Sequence, residues 1–337
     1  MIKEATQKLS SGQDLDATLM KEAMEEIMTG QLVIDDIVAF LVALNNRGET
    51  VEELTAAAEI MRLHATPIHV KSDVILDTCG TGADSRGTFN ISTIVAFVAS
   101  ACGITVAKHG NRSISSSCGS ADILEALGVN INLTPEKIER CLEEVGIAFL
   151  FAQVLHPAMK YAMPARKKIA AKTIFNVLGP LSNPSGATHQ LVGVYDKRWM
   201  KIVAQVLRNL GSCHALVVHG KDGLDEVTTT TETLVSEANK EGVRSYEITP
   251  EDFGFKRASL EDLKGNSVAG NVQIWQEVLN GKAGPQRDIV MLNAGCAIYA
   301  ADKVNSIQEG IKLAAETIDT KKALKKLELL KSYSNRV

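Results

Sequence analysis

The chain has no Cys-x-x-Cys pair and no Cys/His ligand cluster; its six cysteines, at positions 79, 102, 118, 141, 213 and 296, lie far apart. Neither a zinc site nor a disulfide framework fits that spacing, and buried free thiols are expected. An excess of basic charge is also missing. Lys and Arg number 36 against 40 Asp and Glu, a formal net charge of -4, so the footprint of a nucleic-acid binder is absent and any anion must be held by local groups. The longest nearly uncharged apolar run, 94–107, is too short to span a bilayer, and no signal-peptide pattern opens the chain. A cytoplasmic protein without membrane contact is expected. Internal repeats and low-complexity linkers are lacking as well, and the 4% aromatic content leaves Trp199 and Trp275 to be read as packing residues on helices. At 337 residues with 45% hydrophobic and 23% charged positions, the remaining profile is that of an ordinary globular chain about twice the length of a single domain.

Residues 1 to about 66 show only helical periodicity, in "ATLMKEAMEEIM", "IDDIVAFLVAL" and "VEELTAAAEIMRL". Gly30 and Gly48 punctuate these segments, and Thr50 with Glu53 spells a capping box. From residue 73 short β-branched runs alternate with helices, the pattern of a mainly parallel sheet with helices on its faces. "VILDT", "ITVAKH", "IAFLFA", "LVGVY" and "HALVVHG" are the strand candidates, with "ETLVSEA" and "RSYEITP" as an antiparallel addition. The lysines of "DTKKALKKLELLKS" read as the solvated face of a terminal helix.

Four segments carry chemistry. "DTCGTGADSRGTFNIST", residues 77–93, joins a strand to a helix through glycines and hydroxyls. Glycine lets the main chain approach a phosphate, and the first helical turn offers unpaired N–H groups. A tight βα turn explains "GTG" equally well when it stands alone. The run fits neither a P-loop nor a dinucleotide fingerprint. "AKHGNRSISSSCGSAD", residues 107–122, repeats the arrangement with Lys108, Arg112 and many short donors. "HGKDGLDEVTTTT", residues 219–231, places Asp225 and Glu226 side by side, hard oxygen ligands of the kind Mg²⁺ takes beside phosphates, although alone it is an acidic turn. In "HPAMKYAMPARKKIAAKTIFNVLGPLSNP", residues 156–184, Arg166, Lys167, Lys168 and Lys172 cluster, and an arginine fork there suits a substrate carboxylate.

Taken in order and spacing, "GTGADSRGTFNIST", "KHGNRSISSSCGSAD", "HPAMK…PARKKI", "TIFNVLGPLSNP" and "DGLDE" resemble the motif series of the anthranilate phosphoribosyltransferases, from the N-terminal helices to past residue 300. The resemblance implies an α/β fold of the nucleoside phosphorylase and phosphoribosyltransferase type. A small helical domain (1–70, completed by helices within 156–186) is then hinged to a larger α/β domain (71–337), usually in a homodimer. It implies transfer of the phosphoribosyl group of PRPP to anthranilate, with Mg²⁺, in tryptophan biosynthesis. Position by position, it assigns PRPP binding to Gly80, Ala83, Asp84, Thr88, Asn90, Ile91, Ser92 and Thr93. In the second loop it assigns Lys108, His109, Gly110, Asn111, Arg112, Ser113, Ile114, Ser115, Ser116 and Ser120. Ser92, Asp225 and Glu226 match its metal ligands, and Gly80, Asn111 and Arg166 its anthranilate contacts, with His109 lining the aromatic tunnel. Two departures stand out: Ala83 where the family has glycine, and Lys172 where it commonly has arginine, which turns a bidentate contact into a point charge.

The implied chemistry needs stabilisation of a departing diphosphate and positioning of an aromatic amine that is already neutral, so no catalytic dyad is required. A pyrimidine nucleoside phosphorylase shares the fold but is disfavoured by "KHGNR" and "TIFNVLGPLSNP". A nucleic-acid-binding relative is disfavoured by the retained acidic pair and the negative net charge.

Overall fold

The computed structural model describes residues 1–82, 84–112 and 118–336. Four helices come first: α1 (Ile2–Ser10), α2 (Ala17–Met28), α3 (Ile34–Arg47) and α4 (Val51–Leu63). Gly30 and Gly48 follow α2 and α3 with φ of +73° and +91°, a region that favours glycine. The capping box forms. The buried Glu53 carboxylate accepts the Thr50 N–H at 2.8 Å while the Glu53 N–H donates to the Thr50 hydroxyl at 3.2 Å. The same carboxylate accepts the Leu15 N–H at 2.8 Å and pairs with Arg47, so one side chain ties the α1–α2 and α3–α4 connections together.

Strands and helices then alternate: β1 (Ile75–Asp77), α5 (Ile91–Ala101), β2 (Thr105–Gly110), α6 (Ser120–Ala126), α7 (Pro135–Glu144) and β3 (Ile147–Phe151). After α8 (Ala152–Leu155), α9 (Met159–Ile169) and α10 (Phe175–Leu181) come β4 (His189–Gly193), α11 (Trp199–Asn209) and β5 (His214–Gly220). The hairpin β6 (Thr233–Asn239) and β7 (Gly242–Ile248) precedes α12 (Val268–Leu279), α13 (Pro285–Ala300), α14 (Ile307–Asp319) and α15 (Lys322–Ser334).

The seven strands form one sheet in the order β3-β2-β1-β4-β5-β6-β7. The first five run parallel; β6 and β7 add antiparallel. From β1 the chain winds outward to β2 and β3, then returns to β4 on the other side. The two strands pair Leu76 with His189 and Asp77 with Gln190. Their carboxyl ends are therefore the switch point where α/β sheets open a crevice for ligands.

Strand alternation divides the core. Leu191, Leu216 and Val218 face α5 and α12–α15, whereas Val192, Val194, Ala215 and Val217 face α11 and share one apolar cluster with α1–α4, α9 and α10. Helix α9 packs on α2 and α3, and α10 on α4. At the far rim, the amino ends of β4 and β5 carry buried histidines. His214 meets Asp302 at 2.6 Å and Glu237 at 3.2 Å, and His189 meets Asp302 at 3.3 Å. Glu237 also accepts from Tyr246 at 2.7 Å, Tyr299 at 3.0 Å and Arg244.

Candidate active site

The β1–α5 connection is held by main-chain packing at the switch point. The Thr81 N–H donates to the Gly193 carbonyl at 2.8 Å, and a Cβ on Gly80 would lie 3.0 Å from that same oxygen. A Cβ on Gly193 would in turn lie 1.5 Å from the carbonyl oxygen of Asp225. Three chain segments, after β1, β4 and β5, thus touch backbone to backbone. Beneath them the buried Asp77 accepts N–H groups of Cys79 and His109, both at 3.1 Å, and the Asn183 amide at 2.8 Å. Cys79, Asp77 and His109 lie close enough to suggest a metal cluster. However, burial pushes the Cys79 thiol up to about 12, and Asp77 is already taken by these donors.

Asn90 caps α5, its side chain accepting the Thr93 N–H at 3.2 Å. Its own N–H donates to Asn271 at 2.8 Å, and the Trp275 indole donates to its carbonyl at 3.3 Å. Trp275 is therefore a brace for this loop as well as a packing residue. Thr88 bridges to Lys264. The Ile91 side chain is buried in the core at 1% exposure, and its main chain opens α5. The Thr93 hydroxyl is buried without a partner at the head of the helix, an orphan donor beside the unpaired N–H groups.

The acidic turn meets this helix head. The Glu226 carboxylate lies toward the Ser92 N–H, and burial, then Asp225 and Asp84, push its pKa well above the usual range against the pull of Lys108. Burial, then a charge and hydrogen bond shared with Asp84, push Asp225 up likewise. Lys108 is 2% exposed, its ammonium donating to the carbonyls of Thr78 at 3.3 Å and His109 at 3.1 Å. Three carboxyl groups, Asp84, Asp225 and Glu226, thus act on one another with Lys108 drawing on Glu226, an arrangement that disfavours full ionisation and suits a divalent cation with hard oxygen ligands. Asp222 shapes the turn, accepting the Thr228 hydroxyl at 2.6 Å, the Leu224 N–H at 3.0 Å and the Thr230 hydroxyl.

His109 is buried; its Nδ1 donates to the Gly179 carbonyl at 3.1 Å, leaving Nε2 to accept from His156 at 3.2 Å. Burial holds His156 down at about 4 and His109 well below its ordinary value, so both rings are neutral. Arg112 forks onto Glu125 at 2.7 and 2.9 Å and reaches Asp122 at 3.0 Å, both on α6. Gly110 leaves room for Phe149 and Ser120, to which a Cβ would come within 2.7 and 3.0 Å. Ser120 opens α6. The assignments at Ala83, Ser113, Ile114, Ser115 and Ser116 lie outside the described residues.

Of the acceptor residues, exposed Asn111 takes the Gln153 amide at 3.1 Å. Arg166 lies over the Phe175 ring at 5.6 Å and touches the Met163 sulfur at 3.7 Å. No carboxylate pairs with it among the described residues, and burial lowers its pKa. No hydrogen bond or ion pair joins it to the phosphate loops among the described residues. Lys172 sits over the Tyr195 ring at 3.6 Å, a point-charge contact. Gly193, Asp222 and Asn271 were not singled out from the sequence. A threonine run after an acidic turn was the signal for Asp222; Gly193 and Asn271 carried none.

A family model described as "Glycosyl transferase family, a/b domain" matches residues 72–324, and one described as "Glycosyl transferase family, helical bundle domain" matches residues 3–65. The anthranilate phosphoribosyltransferase of Petrotoga mobilis is 49% identical over 329 residues, covering 98% of this chain and 96% of its own. The crystal structure of the Thermus thermophilus anthranilate phosphoribosyltransferase superposes with a TM-score of 0.93 at 42% identity, covering 98% of this chain and 99% of its own. That of Saccharomyces cerevisiae, in complex with PRPP and Mg, does so at 0.91 and 27%, covering 100% and 98%. With likeness in sequence and shape running the length of the chain, through the helical bundle and the α/β unit alike, this chain belongs to the anthranilate phosphoribosyltransferase family.

Proposed function

We propose that this chain is a pentosyltransferase that moves the phosphoribosyl group of PRPP to the amine of anthranilate, releasing diphosphate, in the second step of tryptophan biosynthesis from chorismate. The observation that carries the reading is the meeting of Ser92, Asp225 and Glu226 at the head of α5, backed by Lys108. The N–H groups and the Thr93 hydroxyl at that head receive the diphosphate, with Gly80, Asp84, Thr88 and Asn90 forming the rest of the cradle. The second loop, from Lys108 to Ser120, supplies groups that bind the ribose and its 5′-phosphate.

Ser92, Asp225 and Glu226 would hold Mg²⁺, with Asp84 beside Asp225, and the bound ion would neutralise charge on the diphosphate. Arg166 grips the anthranilate carboxylate, and Asn111 and Gly80 complete the acceptor site. No proton acceptor is needed at the outset, since the aromatic amine is already neutral. The buried, neutral His109 and His156 shape the site rather than ionise. Residues 1–70, with the helices of 156–186, act as one unit against the rest of 71–337, and closure between them excludes water.

The exposed apolar side chains of Val33, Ile34 and Val42 at α3, with Tyr161 on α9, support a homodimer formed through the helical unit, to be tested by light scattering. Six unpaired cysteines suit the reducing cytoplasm, and no described helix is long and apolar enough to cross a membrane. The direct test mixes the purified protein with PRPP, Mg²⁺ and anthranilate and follows anthranilate fluorescence. Loss that requires all three is expected; no loss, or loss without PRPP, rejects the reading.

A further inference from the structure

Helix α13 carries an amide in the middle of an apolar run, "IVMLNAGCAI", residues 289–298. That amide, Asn293, is wholly buried at 0% exposure. Putting an amide among apolar side chains costs free energy unless its donors and acceptor are all used. Asn293 uses them on two residues: Nδ2 donates to the Val227 carbonyl at 2.7 Å and to the Ile289 carbonyl at 2.8 Å, and Oδ1 accepts the Val227 N–H at 2.9 Å. One side chain thus takes both main-chain groups of Val227, as a neighbouring strand would. Val227 follows Glu226 directly, and residues 224–228 lie in neither helix nor strand. No ladder of main-chain bonds fixes these peptide planes.

We propose that Asn293 is a positioning residue for the divalent-metal site: by fixing the peptide groups of Val227 it sets the direction in which the Glu226 carboxylate leaves the chain. The inference rests on the reading that Asp225 and Glu226 hold Mg²⁺. Helix α13 packs behind α5, β4 and β5, so Asn293 refers the metal ligands to the same framework that carries the helix head and Ser92. Losing a partner of this kind behind a metal ligand typically weakens metal binding about 10- to 100-fold.

The test is Mn²⁺ titration with PRPP present, followed by the EPR signal of free Mn²⁺. It compares the wild type with Asn293→Asp, Asn293→Ser, the double variant Asp225→Asn/Glu226→Gln, and Leu330→Ala, a core truncation in α15. Both Asn293 variants should bind Mn²⁺ about 10- to 100-fold more weakly. The Mg²⁺ concentration for half-maximal velocity should rise in parallel, with the KM for anthranilate unchanged and Leu330→Ala binding Mn²⁺ like the wild type. Wild-type Mn²⁺ affinity in a folded Asn293 variant overturns the proposal. Equal weakening in Leu330→Ala does so too, as does failure of both Asn293 variants to fold, which makes the amide a core residue only. If the double variant binds Mn²⁺ normally, the metal assignment itself falls, and this proposal with it.

Discussion

Gly193 has no side chain where the main chain of Asp225 crosses it, and a methyl group placed there would overlap the Asp225 carbonyl oxygen at 1.5 Å. The contact is between two backbones, so no rotamer change can relieve it. Gly193→Ala must therefore move the end of β4 or the acidic turn. We expect a loss of stability of about 1–3 kcal/mol or more and a rise in the Mg²⁺ requirement for turnover. Melting curves with Mg²⁺ titration of the velocity measure both, and a wild-type Mg²⁺ requirement contradicts the account.

Asp225→Asn with Glu226→Gln should abolish Mg²⁺-dependent turnover without unfolding the protein. Burial and Asp84 raise the Asp225 pKa in the folded state, and burial, Asp225 and Asp84 raise that of Glu226. Their ionisation therefore opposes folding in full above the raised values, and that cost shrinks as pH falls below them and is gone only below the ordinary carboxyl values. Removing the charges should leave the metal-free melting temperature at pH 8 equal to or above that of the wild type. A drop of several degrees would sink this reading of the cluster.

Arg166→Ala should act on the acceptor alone. The guanidinium is held over Phe175 without an acidic partner among the described residues, so its truncation should cost anthranilate use about 1.5–3 kcal/mol in kcat/KM. The KM for PRPP should stay near that of the wild type. Steady-state kinetics with each substrate varied in turn separates the two effects.

Glu237→Gln should uncover a pH-dependent part of stability remote from the chemistry. Burial raises this carboxyl, but hydrogen bonds from His214, Tyr246 and Arg244 overcome it and bring the pKa down to about 2 from 4.5. A lowered acid pKa stabilises the fold above the unfolded value, and the contribution fades as pH falls toward the folded one. His214 has the opposite sign: its raised pKa stabilises below 6.5 and the gain is lost as pH rises through the folded value. Denaturant melts of Glu237→Gln should show a deficit of about 3 kcal/mol at pH 6, narrowing below pH 4.5. A deficit constant from pH 3 to 7 would refute the charge origin.

Periodicity and turn chemistry located most of the fold. "HALVVHG" coincides with β5 from His214 to Gly220, because its apolar run is bounded by turn residues. "LVGVY" did not coincide with β4, which starts earlier, at His189, and ends at Gly193. Two polar residues at its entrance, His189 and Gln190, are buried and hid the strand. Local motifs found the helix head and the acidic turn, since a loop reaching a phosphate must carry glycines and donors in sequence. What lay beyond local reading were partners far along the chain. Asn90 and Asn271 are 181 positions apart, and no spacing rule links them.

The histidine and carboxylate cluster at the amino ends of β4 and β5 lies a full strand length from Gly193 and Gly220, where the same two strands deliver their ends to the cleft. Robustness and turnover are therefore written at opposite ends of shared elements. An engineer seeking a hardier catalyst has a place to work, around Glu237 and Asp302, that leaves the reacting atoms undisturbed.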